Sequence, residues 1–207
     1  MPVSFLAAQL RRMGVTSAIP LMAGAAVALV GKAAAAAWSP VQAMALSFGL
    51  QQVFIICAGV SAAVAVTGDP LVELHEATPA TFRRVQLVRA AIATASGVVG
   101  AVLMFAPLHL AGVWMHDKGW ITLLSPAGAG IVMAAAAFVA TAFTGAVSTT
   151  AIAVVTTWMF LAMLWDPYVE PLLFQRGVPV LAAGALAAFA WRRLGDAERN
   201  VSRAVTA

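Results

Sequence analysis

An all-α integral membrane protein is the architecture the sequence predicts: six transmembrane helices, an N-terminal interfacial helix and a short cytoplasmic helix between the second and third spans. Three observations carry it. Of 207 residues, 62% are hydrophobic and only 10% are charged, where a soluble domain carries roughly a quarter charged residues. Mean hydropathy is +0.94, far too apolar for a disordered chain. The uncharged residues also gather into six runs close to the length of about 20 that crosses a bilayer.

Residues 1–12 (MPVSFLAAQLRR) set Val3, Leu6 and Leu10 at helical spacing ahead of Arg11 and Arg12. That pattern suits a helix lying on the cytoplasmic leaflet; a frayed terminus is the plainer reading. The first span is expected over 13–31. Arg11-Arg12 before an apolar stretch imitates an export signal, but Lys32 stands where a cleavage site needs small neutral residues. The segment is therefore read as a retained anchor. The remaining spans are expected over 41–66, 90–107, 119–141, 146–165 and 171–191. The last contains an uncharged run only from Gly177 to Trp191, too short to cross, so its start is set back to Pro171. The chain then divides into one membrane domain, a cytoplasmic connection over 67–89 and a cytoplasmic tail over 192–207.

Orientation follows the basic residues. An even number of spans puts both termini on one side, together with Arg11, Arg12, Arg83, Arg84, Arg89, Arg192, Arg193, Arg199 and Arg203. The other side holds Lys32, Lys118 and Arg176. The bias predicts cytoplasmic termini and a multi-pass protein of the cell membrane. Trp38, Trp114, Trp120, Trp165 and Trp191 sit at span ends, where indole rings prefer the interface; Trp158 is the exception. The net charge of +4 and the pI near 10.2 thus report basic membrane flanks, and no nucleic-acid partner is expected.

Chemistry is sparse. All eight acidic residues, including Asp166, are expected in loops or tail, and no Lys or Arg at membrane depth. Proton pumps and voltage sensors use buried ionisable groups, so this chain is not expected to couple to protons. One cysteine, Cys57, excludes a disulfide framework. Gly31-Lys32 imitates the end of a phosphate loop, but Ala26 and Ala33 occupy the required glycine and hydroxyl positions. Ser96 has no histidine on a later span to act as base, so Ser96 and Gly100 are read as a small-residue packing face. His109, His116 and Asp117 are too thin a set for a metal. Neither a catalytic residue nor a metal ligand is assigned.

Polar, uncharged residues remain. Gln51 and Gln52 lie near the middle of the second span and need hydrogen-bond partners there. They either hold helices together or line a substrate path. Thr149, Thr150, Thr156 and Thr157 mark the fifth span at heptad spacing and carry the same two readings.

The connection between the second and third spans is the most informative segment: TGDPLVELHEATPATFRRVQLVR. Asp69 is placed to cap helix nitrogens while Pro70 takes the first turn. Glu73 then complements the helix dipole, and Pro79 ends the helix before Thr78. Leu71 and Leu74 form its apolar stripe, with Glu73, His75 and Glu76 as polar neighbours. A solvated connector is the bland alternative.

This run resembles the corresponding loop of export-type ABC transporter permeases, the six-span subunits of the ABC type 2 class. Asp69, Pro70, Glu73, Leu74, Ala77, Thr78, Pro79 and Arg89 match the family's acidic-Pro-x-x-E-L pattern, its small residue, its Thr-Pro and its basic lead into the third span. The resemblance implies a coupling helix seated in a groove of an ABC ATPase subunit, with Arg83 and Arg84 among its flanking contacts. It also implies a second permease subunit, of the same or a different chain. ATP and Mg would be held by the partner ATPase, with no cofactor in this chain. The uncharged spans favour an amphipathic or apolar cargo such as a drug, peptide or lipid. A small channel, a carrier or a structural subunit of another membrane complex is the alternative.

Overall fold

The computed structural model describes residues 3–67 and 82–195. The structure there is helical, without strands among the described residues. Helix α1 covers Val3–Arg12, α2 Gly14–Ala37, α3 Pro40–Val66 and α4 Phe82–Leu110. A 3-10 turn, Trp120–Leu123, leads into α5, Leu124–Thr144. Helix α6, Val147–Met159, continues as a π-helical turn, Phe160–Trp165, and α7 covers Leu172–Arg193. Six of these segments are long and apolar enough to cross a membrane.

The helices are longer than the uncharged runs. Helix α2 passes through Lys32 to Ala37, and α4 begins at Phe82, so that Arg83, Arg84 and Arg89 are helical residues. Backbone hydrogen bonding does not stop where charge begins; only the apolar stretch does. Local sequence accounts for several ends. Ser39 caps α3 in a reciprocal box with Gln42, and Pro40 opens the helix. Gly145 closes α5 in a left-handed conformation, φ 70°, which lets α6 turn back at once.

Helix α5 is the centre of the bundle, packed against α3, α4, α6 and α7, while α2 lies against α3 and α4. Phe54, Met104, Phe105, Leu108 and Met133 are fully buried between them. A smaller cluster of Phe138, Ala142, Ala190 and Leu194 closes the end where α7 finishes. There Arg83 lies over the Trp191 ring at 4.0 Å and Arg193 over Phe143 at 4.3 Å. Helix α1 is tied to α4 by Gln9, buried, whose Oε1 accepts from Arg89 Nε at 3.1 Å. Its Leu6 and Leu10 stay exposed. Arg89 is itself buried, at the same end of α4 as Arg83 and Arg84. Gln9 takes one nitrogen of its head group.

Two prolines inside helices show how the bundle repairs its own backbone. Proline lacks the N–H that would bond the carbonyl four residues earlier. For Pro20 that carbonyl belongs to Thr16, and Ser61 Oγ on α3 donates to it. For Pro179 it belongs to Gln175, and Trp165 Nε1 donates to it at 2.7 Å. In hydrocarbon no water replaces such a donor. Ser61→Ala is therefore expected to lower thermal stability by about 1 kcal/mol, read by scanning fluorimetry in detergent. An unchanged melting temperature would show that the Thr16 carbonyl needs no partner.

Candidate functional site

One group of polar residues of the bundle converges at the end opposite the connection between α3 and α4. The π-helical turn is where this begins. Asp166 N bonds Leu161 O, a five-residue step, at 2.8 Å, and the widened turn brings Asp166 to the start of α7. There Arg176 reaches it with both terminal nitrogens, Nη1 to Oδ1 at 2.7 Å and Nη2 to Oδ2 at 2.6 Å. Gln175 Nε2 donates to the Asp166 carbonyl at 2.8 Å, locking the same turn. A π turn of this kind often marks a functional site.

Hydropathy sets Asp166 and Arg176 in the external stretch at the start of the last span. In the structure Arg176 lies in the first turns of α7 and, unlike a residue of an external stretch, is only 5% exposed. The buried charge is tolerated because the pair is bidentate, the strongest arrangement available to a guanidinium and a carboxylate. Burial pushes the Asp166 carboxyl above its ordinary value, while the hydrogen bond and charge of Arg176 pull it back. Gly128 on α5 makes room for the arginine stem; a Cβ there would stand 3.2 Å from Arg176 Cβ.

Gln51 and Gln52 lead into the same region. Gln51 is buried and its Nε2 donates to Ser125 Oγ at 3.2 Å; that hydroxyl also takes Arg176 Nη2 at 3.4 Å. Trp158 Nε1 donates to Gln52 Oε1 at 3.1 Å, which gives the one tryptophan inside a span its partner. Both glutamines thus hold helices together, and both line a cavity of about 460 Å³ with Phe48, Trp114, Asp166 and Arg176. Its rim carries His116, Lys118 and Glu170. The two readings of these glutamines are not exclusive.

The threonines divide. Thr150 is buried, its Oγ1 on the Ala146 carbonyl at 2.9 Å and 3.1 Å from Thr141 Oγ1. Thr157 bonds the carbonyl of Ala153 at 2.7 Å and lines an apolar groove of about 450 Å³ between α5, α6 and α7. Thr149 and Thr156 are exposed. Neighbours along a helix point about 100° apart, so the two heptad pairs face differently, and none of the four lines the glutamine cavity.

Asp69, Pro70, Leu71, Glu73, Leu74, His75, Glu76, Thr78 and Pro79 lie outside the described residues. Of their flanking basic residues, Arg83 packs on Trp191 and Arg84 is exposed. His109 bonds Asp117 through Nδ1 and Oδ2, and its ring packs against Phe105 and Trp120. Among the described residues no three His, Cys, Asp or Glu side chains are grouped to hold a metal. No protein-family model, curated protein or solved structure matches the chain.

Proposed function

We propose that this chain is the membrane-spanning permease subunit of an ATP-driven ABC exporter. The observation that carries the reading is the run from Asp69 to Arg89, which joins α3 to α4. The six long apolar helices support it, as does the continuity of α4. That helix starts at Phe82 and runs unbroken to Leu110. A push on the connection is carried along it as by a rigid rod, from the ATPase end to the aromatic cluster of Phe105 and Trp120. In this reading Asp69–Ala77 is the coupling helix. Leu71 and Leu74 fill an apolar groove of an ABC ATPase subunit, Glu73, His75 and Glu76 meet its rim, and ATP with Mg acts there. A second permease subunit, the same chain or another, completes the path for an amphipathic or apolar cargo.

The test is Leu74→Asp in the full chain, co-expressed with candidate ABC ATPases. A charge pressed into an apolar groove is costly. The expected result is normal membrane insertion, capture of the ATPase reduced by more than about tenfold, and loss of transport-dependent ATP hydrolysis. Wild-type capture and hydrolysis would end the coupling-helix assignment. Failure of the wild-type chain to capture any co-expressed ABC ATPase would favour the channel, carrier or structural-subunit reading.

Orientation has its own check. In a Cys57→Ala background, a cysteine at Asp117 is expected to react with a membrane-impermeant thiol reagent on intact cells. One at Asp196 is expected to react only after lysis. The reverse pattern would place the connection between α3 and α4 outside, where no ATPase could reach it.

A further inference from the structure

We propose that the cavity between α3, α5, the π turn and the start of α7 is a binding site for a small zwitterion, with its oxyanion on the Gln52 amide in the field of Arg176 and its ammonium toward Glu170. Its volume of about 460 Å³ is within the range of small-molecule sites, about 300–1,000 Å³.

Arg176 is 5% exposed and borders the cavity. Its terminal nitrogens are committed to Asp166 and its Nε is shielded from the opening, so it offers the cavity its positive charge and leaves the hydrogen bond to another residue. Gln52 supplies that donor. Its Oε1 accepts from Trp158, which leaves its amide nitrogen as a donor on the cavity wall.

The charges around the cavity balance. Arg176 and Lys118 border the space, and so do Asp166 and Glu170. A simple anion meets two carboxylates, and a simple cation meets a guanidinium and an ammonium. A ligand carrying both charges pairs with both. Asp166 is occupied by Arg176, so Glu170, exposed at the rim, is the carboxylate left for an ammonium. Phe48 and Trp114 on the wall accept an apolar or aromatic body. Ammonium and oxyanion together occur in free amino acids and in aminophospholipid head groups, and the site as drawn recognises that shared pair.

The inference does not rest on the exporter reading, because binding is measured on the full chain in detergent without an ATPase. Failure here leaves the coupling-helix test untouched, and the converse holds. The probes are L-phenylalanine and dihexanoyl-phosphatidylethanolamine, followed by the rise in melting temperature with concentration. Hydrocinnamate lacks the ammonium, phenethylamine lacks the carboxylate, and dihexanoyl-phosphatidylglycerol keeps the phosphate alone. Saturable binding of at least one zwitterion is expected, with each singly charged analogue weaker by about tenfold or more. Phenylalanine binding assigns a free zwitterion, and phosphatidylethanolamine binding alone assigns a lipid head group. Glu170→Gln and Gln52→Leu are each expected to weaken the bound probe by about tenfold. Glu170 is exposed, so its variant is expected to fold. No saturable zwitterion binding, equal binding of the singly charged analogues, or full affinity in both variants would overturn the proposal.

Discussion

Replacing Arg176 with Gln is expected to cost about 3–5 kcal/mol of stability. The reason is what remains behind. Asp166 loses two hydrogen bonds of 2.6 and 2.7 Å from a guanidinium and keeps its position beside the buried face of α7. With Arg176 gone, burial alone acts on the carboxyl, which already binds its proton above the ordinary value of 3.8. A folded-state value raised above the unfolded one means that the native protein holds the proton more tightly. The contribution is then fully present below the unfolded value and lost as pH rises through the folded one. The deficit of Arg176→Gln is therefore largest at neutral pH and shrinks toward about pH 4. The double variant Asp166→Asn/Arg176→Gln buries no charge and is expected to recover most of the loss. Melting in detergent across that pH range measures all three proteins. A single variant as stable as wild type at pH 7 would show that the pair is solvated.

Gly24→Ala and Gly100→Ala are expected to separate α2 from α4, each costing about 1–3 kcal/mol and more for Leu at the same sites. A Cβ on Gly24 overlaps the carbonyl oxygen of Gly100 and comes within 2.9 Å of its carbonyl carbon. A Cβ on Gly100 overlaps the carbonyl oxygen of Pro20 and comes within 2.8 Å of its carbon. These obstacles are backbone, so no rotamer change relieves them and the helices themselves must move apart. Gly49 and Gly130 are also helical, but a Cβ at either meets nothing within 4 Å. Alanine at those positions is expected to be neutral or to add up to about 1 kcal/mol through helix propensity. Equal melting temperatures for Gly24→Ala and Gly49→Ala would remove the close crossing as a source of stability.

The site was legible in part. Gln51 and Gln52 announce themselves because an amide in hydrocarbon demands a partner. The partners, Ser125 and Trp158, lie 74 and 106 residues away, and no spacing rule connects them. Arg176 carried a weaker signal that a length argument amplifies. The uncharged run after it is too short to cross a bilayer, and moving the start back to Pro171 takes Arg176 into the helix. Reading it as a loop residue followed from the cost of charge at depth. Asp166, ten residues earlier, offsets that cost once the π turn and the start of α7 are brought together. The spacing of Ser96 and Gly100 suggests a packing face, and Gly100 does sit at a close crossing; its partners there, Gly24 and Pro20, are visible only in the fold.

The number of long apolar helices and the polar residues that need company are legible along the chain, because hydropathy and the cost of an unpaired amide act over a few residues. Tertiary structure decided the rest: which carbonyl Ser61 repairs, which threonines face inward, and that Arg176, Asp166, Gln51 and Gln52 border one cavity. Those outcomes depend on how helices rotate and cross. Rotation and crossing are set by the summed fit of many distant side chains, so that no local pattern encodes them.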